Sequence, residues 1–235
     1  MPISFVVTRH LFWILALALA VPAFPQQPDV QDILKKVGES YTRAAQASQF
    51  DVALTARTKT SGGEVIDTLR IAMNGDKKTR VEQSTTIDGF SAGALMIADG
   101  ETFWTYHAMV NQYSRRPLNE VRDQARNMAS MVTVFVEPRE SQLSYLRSEA
   151  IEVGGKVVDC YVVQTRRVPT AVSAILWIDK LRLVIVRSDS TSQFENGEAV
   201  SSTTIFHTTK LTEPIPDDVF TFTPPPGAEL VNRLQ

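Results

Sequence analysis

The chain has 235 residues, with 24 Lys and Arg against 26 Asp and Glu, a formal net charge of −2, and a composition 43% hydrophobic and 21% charged. That is ordinary globular composition, and without a basic tract it argues against a nucleic-acid partner. Cys160 is the single cysteine, so an intramolecular disulfide is excluded and its simplest reading is a small apolar residue in a strand.

Arg9-His10 precedes an uncharged apolar run from Leu11 to Val21, and Val21-Pro22-Ala23 offers small residues at cleavage spacing. This is the anatomy of a secretory signal peptide. An uncleaved anchor is the alternative, but the run is short for a span of about 20 residues. Cleavage after Ala23 removes Arg9 and leaves residues 24–235 as one exported, mildly acidic domain. No Cys lies near the cleavage point, so lipid attachment is not expected there, and no second segment is apolar enough to cross a bilayer as a helix.

After a Pro/Gln-rich joint, Asp29 can cap a helix. Val30, Ile33, Leu34, Val37 and Tyr41 then recur at helical spacing, which predicts an amphipathic helix over 30–46. Gly38 weakens it by roughly 1 kcal/mol relative to Ala. From Phe50 the period changes to two. Phe50, Val52, Leu54 and Ala56 alternate with polar or small residues, Ser61-Gly62-Gly63 turns, and Leu69, Ile71 and Met73 share the face of the next strand. Asn74-Gly75-Asp76 turns again, and Lys78 to Ser84 returns with Val81 as its apolar member.

Ala94 to Ala98 is an apolar run whose register is open, because Leu95 and Ile97 compete with Met96 for the inner face. Asp99-Gly100 breaks it, Thr102 to Tyr106 resumes with aromatic and β-branched residues, and Asn111 to Arg116 reads as a further strand. Residues 119–146 interrupt the meander. Val121, Ala125, Met128, Ala129 and Val132 have helical spacing, Met131 to Val136 is apolar on several sides, and Ser141 to Leu146 reads as a second short helix. The insertion either plugs the core or covers a ligand space, a role suited to adaptable methionines. Strands follow at Ala150–Val153, Val157–Arg167, Ser173–Asp179, Leu183–Ser192 and Ala199–Thr209, and the tail ends near Pro226-Gly227. The pattern is about ten antiparallel strands, one leading helix and one helical insertion, a mainly β chain with α (α+β).

Asp99-Gly100-Glu101-Thr102-Phe103-Trp104-Thr105-Tyr106, followed six residues on by Gln112, resembles the D-G-x-T-x-W-x-Y…Q hairpin of the outer-membrane lipoprotein carrier family (LolA/LolB-like). Phe220-Thr221-Phe222-Thr223-Pro224-Pro225-Pro226-Gly227 is similar to that family's F-T-F-x-P-P-x-G ending. The resemblance covers nearly all of the mature chain. It implies an incomplete, strongly curved antiparallel β-barrel, closed on its open side by helices, whose apolar concavity holds acyl chains. It implies a periplasmic monomer without cofactor, with a lipid or lipoprotein acyl chain as partner and a membrane receptor or donor complex as a further one. The family's K-R-P stretch has no counterpart in Asp76-Lys77-Lys78-Thr79-Arg80, so its lid role is not carried over to Arg80.

The candidate cavity residues are Leu69, Ile71, Met73, Met96, Trp104, Tyr106, Met128, Met131, Phe135, Trp177 and Phe206. For any one of them an ordinary core role competes, and the functional reading needs several to share a space. A catalytic reading finds little support. Beyond the leader, His107 and His207 match no metal-ligand spacing, no G-x-S-x-G elbow occurs, and Asp217-Asp218 reads as a solvated turn. Glu152, Asp159 and Asp179 read as exposed strand-end charges. Two functions remain: a periplasmic carrier of acyl chains, or an envelope sensor or scaffold of the same fold that binds a protein.

Overall fold

The computed structural model describes residues 28–121, 141–167, 172–193 and 198–232. Its first element is helix α1 (Val30–Gln46), started by the Asp29 carboxylate, which accepts hydrogen bonds from Gln31 N and Asp32 N. Such a cap contributes about 1 kcal/mol. Ile33, Leu34, Val37, Tyr41 and Ala44 are the buried stripe of α1, as the 3.6-residue period requires.

The strands are β1 (Gln49–Thr60), β2 (Gly63–Asn74), β3 (Lys78–Ile87), β4 (Phe90–Asp99), β5 (Thr102–His107), β6 (Gln112–Pro117), β7 (Ser141–Val153), β8 (Lys156–Arg167), β9 (Val172–Asp179), β10 (Ile185–Gln193), β11 (Ala199–Leu211) and β12 (Glu229–Leu230). They form one sheet in the order β12-β6-β5-β4-β3-β2-β1-β11-β10-β9-β8-β7. The short β12 pairs with β6 in parallel, and the other pairings are antiparallel. The sheet is open and curved, with a leading helix, as the mainly β reading expects.

Two elements differ from expectation. Ser141 to Leu146 is not a helix but the start of β7, paired with β8 from Ser141↔Arg167 onward. Leu143 and Tyr145 alternate with Gln142 and Ser144, a period-two signal that a long hairpin partner turns into strand. β12 was not foreseen, since two residues carry no periodicity. The rest of the helical insertion, with Met128, Met131 and Phe135, lies outside the described residues.

Register assigns the two faces of β1–β5. Val52, Ile71, Val81 and Met96 stand in one cross-strand row and belong to the core built on α1. Leu95 and Ile97 therefore point to the other face, which settles the Ala94–Ala98 register. There Ala72, Ile97, Leu95 and Trp104 pack with Ile215, Val219, Phe220 and Phe222 of the C-terminal tail. The tail crosses this far face as a strap. Its carbonyls at Glu213, Ile215 and Val219 accept from Gln49 Nε2, Asn74 Nδ2 and Arg80, at 3.2, 3.4 and 3.2 Å. Asp217 accepts Lys78 at 2.7 Å.

The strap ends on the motif hairpin. Asp99 accepts Glu101 N, Thr102 N and Trp104 Nε1, at 3.0, 2.8 and 2.9 Å. Partial burial opposes its charge, but these hydrogen bonds outweigh that and hold its pKa below the usual range. Trp104 stacks on Phe222 with ring centroids 5.2 Å apart, and Tyr113 and Tyr106 flank the same Phe222 ring. The two sequence motifs thus form one latch.

At the other end the sheet curls hard. β7 and β11 are four strand spacings apart in the sheet order, about 19 Å if flat. Yet they approach within 8 Å between Cα atoms, and α1 touches both. Val162 and Val163, successive and so on opposite faces, are both fully buried.

Tyr41 Oη and Thr209 Oγ1 are buried without a hydrogen-bond partner among the described residues. Burial pushes the Tyr41 phenol up to about 12. The unfolded chain releases that proton near pH 10, so unfolding is favoured progressively as pH rises from about 10 to about 12. The expected loss is about 2–3 kcal/mol; Cys160, pushed to about 11 by burial, adds in the same direction. Tyr41→Phe should leave stability at pH 7 unchanged or slightly higher and flatten the alkaline decline in urea titrations. For the latch, Trp104 is half-buried, so Trp104→Ala should cost about 2–3 kcal/mol, below the range for a fully buried ring. A double-mutant cycle with Phe222→Ala should show coupling of about 0.5–1.5 kcal/mol.

Candidate functional site

A broad concavity lies where the curled end of the sheet opens. It is a groove of about 870 Å³ between the β7–β8 hairpin tip, the β9–β10 turn and the end of β11. Val153, Val158, Val186 and Phe206 supply its apolar surface. Phe206 is 5% exposed and also joins the α1 core, so the groove is continuous with the main apolar interior.

Each wall is fixed by local chemistry. Val153 pairs with Lys156 across a two-residue turn, with Gly154 at φ 59 and Gly155 at φ 74. Only glycine takes both positive angles without strain, and this turn matches the twist of the flanking strands. In the β9–β10 turn Asp179 Oδ1 accepts Leu181 N at 2.8 Å and Arg182 N at 3.0 Å, while Arg182 Nε donates to Oδ2 at 2.7 Å. Asp179 is buried, not the exposed strand-end charge expected, because it serves the turn rather than solvent. Burial opposes its ionisation, but Arg182 and the backbone N–H groups hold its pKa below the ordinary value.

The two walls are also joined. Lys180 N donates to the Asp159 carbonyl at 3.0 Å, and Lys180 Nζ donates to both Asp159 carboxylate oxygens at 3.1 Å. The charges around the groove are therefore largely neutralised in pairs, and the apolar surface between them is free of an unpaired buried ion.

The candidate residues divide by face. Leu69, Ile71, Met73, Met96, Trp177 and Phe206 share one apolar cluster with α1. Ile71 and Met73 are fully enclosed by it, whereas Leu69 and Met96 are half-buried. Met96 also touches a second cluster of Ala98, Phe103, Leu118 and Val121, at the point where the chain enters the insertion. Trp104 and Tyr106 do not join them. A one-residue offset from the Met96 register puts both on the far face, where Phe222 covers them. Trp177 is held by a hydrogen bond from Nε1 to Glu149 and by the Arg187 guanidinium 4.5 Å from its ring centroid. Met128, Met131 and Phe135 fall outside the described residues. Sequence reasoning missed the groove. Its sequence signals are the Gly154-Gly155 turn and the aspartate that opens Asp179-Lys180-Leu181-Arg182.

Neither histidine makes a catalytic constellation. His207 Nε2 meets Thr55 Oγ1 at 3.0 Å, and His107 is the last residue of β5, opposite Gln112. Cys160 is buried in β8 with its thiol pushed to about 11, so it is protonated at neutral pH and a poor nucleophile. Among the described residues no group of His, Cys, Asp and Glu has a metal-holding arrangement.

No curated protein matches the sequence. Solved structures similar to the chain include a LolA superfamily protein from Nitrosomonas europaea, 18% identical, covering 83% of this chain and 99% of its own, with a TM-score of 0.29. MucB in its complex with MucA from Pseudomonas aeruginosa is 13% identical, covering 80% of this chain and 61% of its own, with a TM-score of 0.39. LprF from Mycobacterium bovis is 11% identical, covering 77% and 96%, with a TM-score of 0.39. A family model described as predicted periplasmic protein (DUF2092) matches residues 31–233, from the first turn of α1 through β12, and the chain belongs to that family.

Proposed function

We propose that this periplasmic protein binds and carries the acyl chain of a lipid or lipoprotein. The observation that carries this reading is the open, partly apolar groove of about 870 Å³ in continuity with the core through Phe206. Its size falls within the usual range for ligand sites, about 300–1,000 Å³. Removing a methylene from water gains about 0.8 kcal/mol, so a chain of about 16 carbons gains on the order of 10 kcal/mol before ordering costs. That gain needs no catalytic group and no charged partner, which fits a lining where Lys180 pairs with Asp159 and Arg182 with Asp179.

Fluorescent fatty-acid uptake by protein recovered from the periplasm tests the reading, with native mass spectrometry for co-purified lipid. Val158 is half-buried in the groove wall. Val158→Glu should lower uptake at least about tenfold, since a carboxylate in an apolar lining is costly, with a much smaller change in the melting curve. Met128→Glu with Met131→Glu asks the same of the insertion; loss of uptake there and not in Val158→Glu would move the site beneath the methionines. Repeated recovery without lipid, together with no uptake, would overturn the carrier reading. A stoichiometric protein partner retained after lipid stripping would favour the sensor or scaffold instead.

A further inference from the structure

The mouth of the groove carries the two most exposed large hydrophobic side chains recorded among the described residues, Leu181 at 91% and Val157 at 78%. One stands on each wall, Val157 beside the β7–β8 turn and Leu181 in the β9–β10 turn, and both line the groove. An exposed aliphatic residue at a hairpin tip needs no explanation when it stands singly. Two tips on either side of one partly apolar opening are a different matter, because both line the same groove.

The two tips are joined to each other. Gly154-Gly155 fixes one turn, Asp179 and Arg182 fix the other, and the Lys180–Asp159 contacts tie them. Their charges are mixed in sign. Lys180 neutralises Asp159 and Arg182 neutralises Asp179, and across the hairpin Glu152 pairs with Val157, next to Lys156. The rim is thus close to neutral overall.

We propose that these two tips dock the groove mouth on a phospholipid bilayer, Leu181 and Val157 entering the interface and the mixed charges lying at headgroup level. This rests on the acyl-chain reading and names where that cargo is exchanged. Two isolated aliphatic tips fall far short of the roughly 800 Å² per partner of a stable protein interface. A fluid interface accepts such tips without a complementary surface, and long Lys and Arg side chains reach back to its polar layer. A near-neutral rim matches zwitterionic headgroups rather than a strongly charged surface, so the docking is driven by aliphatic insertion.

The test is co-sedimentation with vesicles of phosphatidylethanolamine and phosphatidylcholine, using protein recovered from the periplasm, and Leu181→Asp with Val157→Asp as the variant. Both sites are solvent-exposed, so the melting curve should hold, and Leu181→Ala with Val157→Ala serves as a milder check. The expected result is at least about a tenfold loss of vesicle binding in the aspartate variant, with binding by the wild-type protein little changed by added salt. Wild-type protein that ignores protein-free vesicles, or a variant that binds them equally well, overturns the docking proposal whatever the uptake shows. Binding abolished by salt overturns the insertion mechanism. Tip-dependent vesicle binding without any fatty-acid uptake would sink the acyl-chain reading while leaving the docking in place.

Discussion

An open antiparallel sheet has two faces, and within β1–β5 this sequence places apolar side chains on both of them. One face carries Val52, Ile71, Val81 and Met96; the other carries Ala72, Leu95, Ile97 and Trp104. Sheets of this kind ordinarily leave one face to water. Here each face is covered by an opposite end of the domain, α1 on one side and the tail from Glu213 to Phe222 on the other. The pairing of β11 with β1 makes this possible, since it brings the C-terminal part back beside the first strand and starts the strap on the correct face.

The same arrangement sets the shape at the far end. With β11 fixed against β1, the remaining strands β10 to β7 continue the sheet beyond it, and nothing lengthens α1 to cover them flat. Curling β7 back toward α1 and β11 lets one 17-residue helix serve both halves. A curl of that tightness leaves its rim open, and the groove sits there, lined by two hairpin turns together with Phe206 to Lys210 of β11. Hairpin tips tolerate charge and turn chemistry that strand interiors do not, so Lys156, Asp159, Lys180 and Arg182 are found at the groove and not within the core.

Much of this was legible in the sequence because it was periodic. The helical spacing from Val30 to Tyr41 and the Asp29 cap gave α1 its bounds, and alternation gave most strands. What was not legible has physical causes. The run Ala94–Ala98 is apolar on both faces, so alternation is silent about register, and the choice falls to the tail, which is distant in sequence. Trp104 and Tyr106 look like cavity residues by type, but one step of register sends them to the strap. Ser141 to Leu146 reads as helix only if its alternation is overlooked. Asp179 looks like an ordinary strand-end charge until its turn is seen to need an acceptor for two backbone N–H groups.

The signature motifs deserve a different weight from the one their conspicuous aromatics invite. Asp99 organises its turn and the Trp104 indole; Trp104, Tyr106 and Tyr113 surround Phe222; Glu229 N donates to the Asn111 carbonyl at 3.0 Å, so that β12 can pair with β6. None of these groups lines the groove. Their chemistry closes the strap, and a chain keeping both motifs keeps its sheet faces covered whatever it carries. Motif matches of this kind therefore speak to architecture. Ligand choice is left to residues that the motifs do not include, the valines and Phe206 of the groove and the paired charges at its mouth, which are free to differ without loosening the latch.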